Sequence, residues 1–279
     1  MYKPKGIVFD MDGVLRVGNK AIPKADEIIK IMKLKNIKGM VSTNECRYTE
    51  DEIREELYDL GINIPNEWFI YTAAMAVRDF LKTRIEKNNN KKYYIGIIGE
   101  TGLFTNINSL SIYDNFIITD EPPKKKLDNI ELLLIIGTVN KIKITNLEKG
   151  LDWINSGAKI ITTCCDTTDP ASKGDFNLGM PSHILHLLKY NTKFVRQYSL
   201  GKPNPIFKTK IIEVFNNIPI KDILFVGDTL YTDIQLANES GMKSCLVLTG
   251  NTKLETIENY VIEPDIIINS IGDLKEYLN

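Results

Sequence analysis

Gly6-Ile7-Val8-Phe9-Asp10-Met11-Asp12-Gly13 runs from a short apolar stretch straight into two carboxylates and a glycine. Such a run, too short for a helix and bounded by a turn signal, reads as a buried strand. Two other segments repeat the pattern: Met40-Val41-Ser42 ends on Thr43-Asn44, and Leu224-Phe225-Val226 ends on Gly227-Asp228. In an open parallel sheet, ligands bind at the carboxyl ends of the strands. Taken singly, each polar ending reads as a turn or a helix cap. Three of them converging, with Lys202 and Asp233 in addition, point to a site at one rim.

Outward from these strands, short apolar runs alternate with helical periodicity, the pattern of an α/β fold with a parallel sheet. Helices are expected over about 24–35, 49–61 and 73–85, the second opened by Thr49 as N-cap with Glu52 three residues on. The polar stretch 86–92 has no periodicity and reads as a linker. After it the alternation restarts, with strands expected at 93–98, 117–119, 132–136 and 159–163 and helices near 146–155 and 181–189. A second junction falls near Gln197-Tyr198-Ser199. The reading is one α/β unit interrupted by another: a core of 1–86 and 197–279 around an inserted unit of 87–196.

The 279 residues suggest about two domains. With 35 Lys+Arg against 36 Asp+Glu, there is no basic footprint for nucleic acid and no polybasic stretch for a membrane surface. No run approaches the roughly 18 apolar residues of a membrane span, and the N-terminus enters the first strand with no signal-like apolar region. Cysteines 46, 164, 165 and 245 lack C-x-x-C spacing and disulfide-scaffold density. These features predict a cytoplasmic, reduced, soluble protein with neither nucleic-acid nor membrane partners.

Asp10 and Asp12, two residues apart at a strand end, repel each other unless a proton or a cation lies between them. An oxygen-seeking divalent ion such as magnesium (Mg2+) answers that need, with Asp228 as a further ligand. A carboxylate is also a competent nucleophile toward phosphorus, and a second can protonate the leaving oxygen and later activate water. Gly13 allows the tight loop that would bring backbone N–H groups to phosphoryl oxygens.

Asp10-Met11-Asp12-Gly13-Val14-Leu15 resembles the first motif of the haloacid dehalogenase-like (HAD) hydrolases. The continuation through Arg16-Val17-Gly18-Asn19-Lys20-Ala21-Ile22-Pro23 is similar to the NagD and p-nitrophenyl phosphatase subgroup, which includes phosphoglycolate and pyridoxal phosphate phosphatases. Thr43-Asn44, Gly201-Lys202-Pro203-Asn204-Pro205 and Gly227-Asp228 through Asp233 resemble the later motifs, in the expected order. The resemblance implies a Rossmann-like doubly wound parallel-sheet core with an inserted α/β cap. It also implies a magnesium-dependent phosphatase of small phosphorylated metabolites, acting through an aspartyl-phosphate. Asp10 would be nucleophile and metal ligand; Asp12 would be acid/base and ligate metal through its backbone carbonyl. Thr43, Asn44 and Lys202 would hold the phosphoryl group, Asp228 would ligate the metal, and Asp233 would orient Lys202 or a metal-bound water. Cap-mediated homodimers occur among the resembled proteins.

Relatives commonly carry Asn-Asn-Ser where this chain has Asn44-Glu45-Cys46. Glu45 is either a negative charge facing the cleft or a solvated residue at its rim. In the inserted segment, Asp166 within Thr163–Pro170 is the candidate for substrate contact, with a turn-forming aspartate as the alternative. Gly174 and Gly179 follow in a loop suited to closing over a substrate. His183 and His186 lack the companions of a zinc site. A phosphotransferase, or a metabolite-binding regulator that has lost turnover, are the rival readings.

Overall fold

The computed structural model describes residues 2–124, 128–170, 177–189 and 197–278. Along the chain, β1 (Gly6–Phe9) leads into a hairpin, β2 (Arg16–Val17) and β3 (Lys20–Ala21). Then come α1 (Ala25–Leu34), β4 (Lys38–Thr43), α2 (Glu50–Asp59), β5 (Phe69–Thr72) and α3 (Ala73–Lys87). The middle of the chain supplies β6 (Lys92–Ile98), α4 (Thr101–Asn108), β7 (Phe116–Ile118) and β8 (Ile130–Ile136). It continues with α5 (Ile144–Asn155), β9 (Lys159–Thr162), α6 (Pro181–Lys189) and β10 (Gln197–Ser199). The last part holds α7 (Pro205–Val214), β11 (Ile223–Gly227), α8 (Gln235–Ser240), β12 (Lys243–Val247), β13 (Ile266–Ile268) and α9 (Lys275–Leu278).

The first and last parts build a six-stranded parallel sheet in the order β13-β12-β11-β1-β4-β5. From β1 the chain moves outward to β4 and β5; from β11 it moves the other way to β12 and β13. The direction therefore switches between β1 and β11, which is where a doubly wound sheet opens a crevice at its carboxyl edge. Helices cover both faces, so β1 is buried throughout and reads as an unbroken apolar run. Ile7 and Phe9 pack with α1 and α9 residues such as Ile28 and Leu278, while Val8 packs with α3, α7 and α8 residues.

The middle part forms a five-stranded parallel sheet, β10-β9-β8-β6-β7. One face shares an apolar cluster with the six-stranded sheet: Ile95, Leu133 and Ile161 lie in the same cluster as Leu81 of α3 and Ile107 of α4. The other face packs on α5 and α6 around Trp153, which is wholly buried.

The capping box at Thr49 forms as expected, with the Thr49 N–H donating to Glu52 and the Glu52 N–H to the Thr49 hydroxyl. Several elements escape the sequence reading, among them α4 and β10. Helix α4 is only eight residues, too short for a clear period. Strand β10 consists of the three residues taken for a junction, yet its backbone completes the second sheet beside β9. The expected division before Gln197 therefore cuts through that sheet. We propose that the inserted unit runs to Ser199. No helix among the described residues is long and apolar enough to cross a membrane.

Candidate active site

Asp10 follows β1, Thr43 closes β4, and Asp228 follows β11, so all three emerge at the carboxyl edge beside the switch point. Lys202 arrives from the segment between β10 and α7. Its side chain is fully buried, and its ammonium donates to Asp10 Oδ1 (2.6 Å), Asp233 Oδ1 (2.7 Å) and the Ser42 carbonyl (3.1 Å). Asp233 sits in a single π-turn, Leu230–Ile234, a local widening of the helix common at functional sites. That turn aims its second oxygen at the backbone N–H groups of Asp228 and Thr229, both at 3.2 Å.

The Asp228 carboxylate accepts from Thr229 Oγ1 (2.9 Å) and from the Asn251 backbone N–H (2.6 Å). It lies between two glycine backbones. A Cβ on Gly13, which has φ of 85°, would come within 2.5 Å of Asp228 Oδ2, and a Cβ on Gly250 would collide with the same oxygen. The Gly13 N–H is donated to the Arg16 carbonyl (2.7 Å). Gly13 was expected to help bind phosphate; its N–H is engaged by the Arg16 carbonyl, and its missing side chain leaves room for Asp228. Gly250→Ala is expected to destabilise the protein by about 1–3 kcal/mol, the range for forced overpacking, as measured by urea denaturation.

Asp10, Asp228 and Asp233 bring one carboxylate oxygen each to within 4.8 Å of one another, all buried. Burial raises Asp10 well above the ordinary carboxylate value; Lys202 pulls it down, and Asp233 and Asp228 push it up again. Burial with the charge of Asp233 takes Asp228 to about 7. For Lys202, burial works against the charged form, but Asp10 and Asp233 outweigh it and hold the ammonium above a free lysine. Three carboxylates against one ammonium leave a local excess of two negative charges. An oxygen-only donor set with that excess suits a hard divalent cation.

Asp12 stands apart from this trio. It lines the same pocket, but its Oδ1 is held by Arg16 Nε at 3.0 Å. Burial raises it to about 6, with Arg16 drawing it back.

The pocket is lined by Asp10, Asp12, Thr43, Asn44, Asp166 and Lys202. Thr43 lines it with its hydroxyl accepting from the Glu45 N–H (3.0 Å), which leaves the hydroxyl proton to donate. Asn44 spends both ends of its amide. The oxygen accepts from the Lys202 backbone N–H (2.8 Å), and the nitrogen donates to Asp166 Oδ2 (2.7 Å). Asn44 thus positions the Lys202 segment and ties it to the middle part of the chain. Asp166 lies in the pocket wall, raised to about 6 by burial with Asn44 opposing. Gly174 lies outside the described residues; the Gly179 carbonyl accepts from the Val139 N–H.

Glu45 lines the pocket, the cleft-facing alternative, but its charge is not left uncompensated. It is buried, and Arg47 covers it through Nε and Nη2, the latter at 2.6 Å from Oε2. Burial would raise its carboxyl, but the Arg47 contacts outweigh that and hold it low. Arg47 also reaches Asn140 across from the second sheet (3.2 Å). Cys46 Sγ accepts from the Thr138 N–H (3.2 Å) and Thr163 Oγ1 (3.4 Å), so the departure from Asn-Asn-Ser forms a joint between the two sheets. Arg16, Arg47, Thr229 and Asn251 were not singled out as site residues. Besides local partners, Arg16, Arg47 and Asn251 hold contacts that no local spacing announces: Arg16 with Glu56, Arg47 with Asn140, and Asn251 with Asp228 and Thr229.

Residues 7–109 match the haloacid dehalogenase-like hydrolase family and residues 199–274 the HAD-hydrolase-like family. The chain is 28% identical to the dihydroxyacetone phosphatase of Corynebacterium glutamicum, over 96% of this chain and 89% of that one. It is 26% identical to the ribonucleotide monophosphatase NagD of Escherichia coli, over 97% and 98%. The solved structure of a hypothetical protein from Pyrococcus horikoshii superposes with a TM-score of 0.81 at 31% identity, over 98% of this chain and 99% of that one. Four ordered motifs, a six-stranded sheet with its switch point at Asp10 and Asp228, and these end-to-end similarities give one conclusion: the chain belongs to the haloacid dehalogenase-like hydrolases, in the subgroup of NagD and the p-nitrophenyl phosphatases.

Proposed function

We propose that this protein is a magnesium-dependent phosphatase of small phosphomonoesters, working through an aspartyl-phosphate on Asp10. The observation that carries the reading is the Lys202 ammonium, buried between Asp10 and Asp233 at the edge where Asp228 emerges. The phosphatase names of the relatives support phosphoryl transfer from small phosphorylated molecules. Asp10 and Asp228, with the Asp12 backbone carbonyl, would hold magnesium, which when bound supplies positive charge opposite the phosphoryl oxygens.

Lys202 and the Thr43 hydroxyl hold the phosphoryl oxygens against the Asp10 carboxylate. An Asp10 oxygen attacks phosphorus, and the bond from phosphorus to the alcohol oxygen breaks. The proton on Asp12 passes to that oxygen, so a neutral alcohol leaves. Water then attacks the same phosphorus while Asp12 takes its proton; the Asp10–phosphorus bond breaks and phosphate departs, leaving Asp12 protonated again. A carboxyl near 6 is suited to both halves of this cycle at neutral pH. Asp233 orients Lys202, and Asp166 would face the leaving group.

Phosphate release from p-nitrophenyl phosphate, followed with magnesium and again after chelation, tests the reading. Chelation is expected to lower the rate about a hundredfold, and added magnesium to restore it. Phosphate appearing on an added alcohol instead of in water would make the protein a phosphotransferase. No magnesium-dependent release from any small phosphomonoester would leave the binding regulator. The compensation of Glu45 by Arg47 removes the feature that spoke most for that rival.

A further inference from the structure

Arg16 is an arginine almost wholly buried on a two-residue strand, where an apolar side chain would fill the space without the desolvation penalty of a charge. Its guanidinium bridges two carboxylates: Nε meets Asp12 Oδ1 at 3.0 Å, and Nη1 meets Glu56 Oε2 of α2 at 2.6 Å. Its backbone pins the same turn, the carbonyl accepting from the Gly13 N–H and the N–H donating to the Met11 carbonyl (3.1 Å). Arg16 therefore grips the Asp12 turn by main chain and side chain together. Glu56, partly exposed on the outer side, holds the guanidinium from behind.

We propose that Arg16, anchored by Glu56, is a positioning residue that fixes the Asp12 carboxylate for proton transfer. The inference rests on the reading of Asp12 as acid/base. A carboxylate gripped through Oδ1 presents its other oxygen to the substrate in one orientation, and a planar guanidinium with two occupied edges is a stiffer grip than a lysine. The chain Glu56–Arg16–Asp12 repeats the arrangement in which a catalytic group is oriented by a partner that is itself held.

A double-mutant cycle on the full chain, with p-nitrophenyl phosphate and magnesium, tests the proposal. Arg16→Met is expected to lower kcat about 10- to 100-fold with KM within about twofold, the size of effect seen when an orienting partner is lost. In the Asp12→Asn background the same change is expected to cost less than about twofold. Equal losses in both backgrounds would overturn the proposal, because Arg16 would then act independently of Asp12. Wild-type turnover by Asp12→Asn alone would remove the acid/base reading and the inference with it, and that result appears in a separate arm. Should thermal melting show Arg16→Met unfolded, Glu56→Gln carries the cycle instead. It is expected to lower kcat several-fold in the wild-type background and not in Asp12→Asn; an equal loss in both would likewise overturn the proposal.

Discussion

Asp10→Asn is expected to lower phosphate release from p-nitrophenyl phosphate by about 10⁴-fold or more, the scale of losing a covalent nucleophile. The amide is isosteric but cannot form the acyl-phosphate bond. Stability should change little. Asp10 is one of three buried carboxylates facing a single ammonium, and its charge is repelled by Asp233 and Asp228 as well as attracted by Lys202. An asparagine oxygen still accepts from Lys202 while the repulsion disappears. Steady-state kinetics with magnesium and a thermal melt check both halves of the expectation. Activity within tenfold of wild type, in a folded variant, would remove Asp10 from the nucleophile's place.

Lys202→Met should act on stability as well as rate. It deletes the only cation in contact with Asp10 and Asp233 among the described residues and leaves both carboxylates in a buried setting. Removing one partner from a buried ion pair typically costs about 3–5 kcal/mol. For a chain of this size that corresponds to a fall in melting temperature of about 10 °C. The rate should fall about 10³-fold if, as proposed, this charge holds the phosphoryl oxygens. Added magnesium should recover more melting temperature in the variant than in wild type, because the variant site carries one more uncompensated negative charge. Equal recovery would mean that Lys202 and the cation do not share the same carboxylates.

The core strands and their polar endings were legible because a parallel strand buried on both faces must be apolar throughout. The chemistry then stands out where the run stops, at Asp10, Thr43 and Asp228. Lys202 and Asp233 were legible by motif, and the geometry brings them within 2.7 Å of each other. The contacts that bind the site to its surroundings were not. Arg16 meets Glu56 across 40 residues and Arg47 meets Asn140 across 93, separations that no periodicity encodes. Strand β10 was missed for a related reason: three residues carry too little pattern, and its strand character comes from the neighbour it pairs with. Asp166 was legible only as one of two possibilities, substrate contact or turn; it lies in the pocket wall and accepts from Asn44, a partner 122 residues away that the sequence did not announce.

The placement of β1 between β4 and β11 also sets an order of events during synthesis. Asp10 leaves the ribosome well before the lysine that binds it, which is 192 residues further along the chain. At about 5–20 residues per second, that separation is a delay of roughly 10–40 s. Throughout that interval the nascent sheet has β4 and β5 on one side of β1 and an open edge on the other, at the place β11 will take. An unpaired apolar strand edge is a template for pairing with other chains. The strand that leads to Asp10 is thus also an aggregation-exposed edge of the newborn protein, and completion of the candidate site and protection of that edge arrive together, when β11 docks.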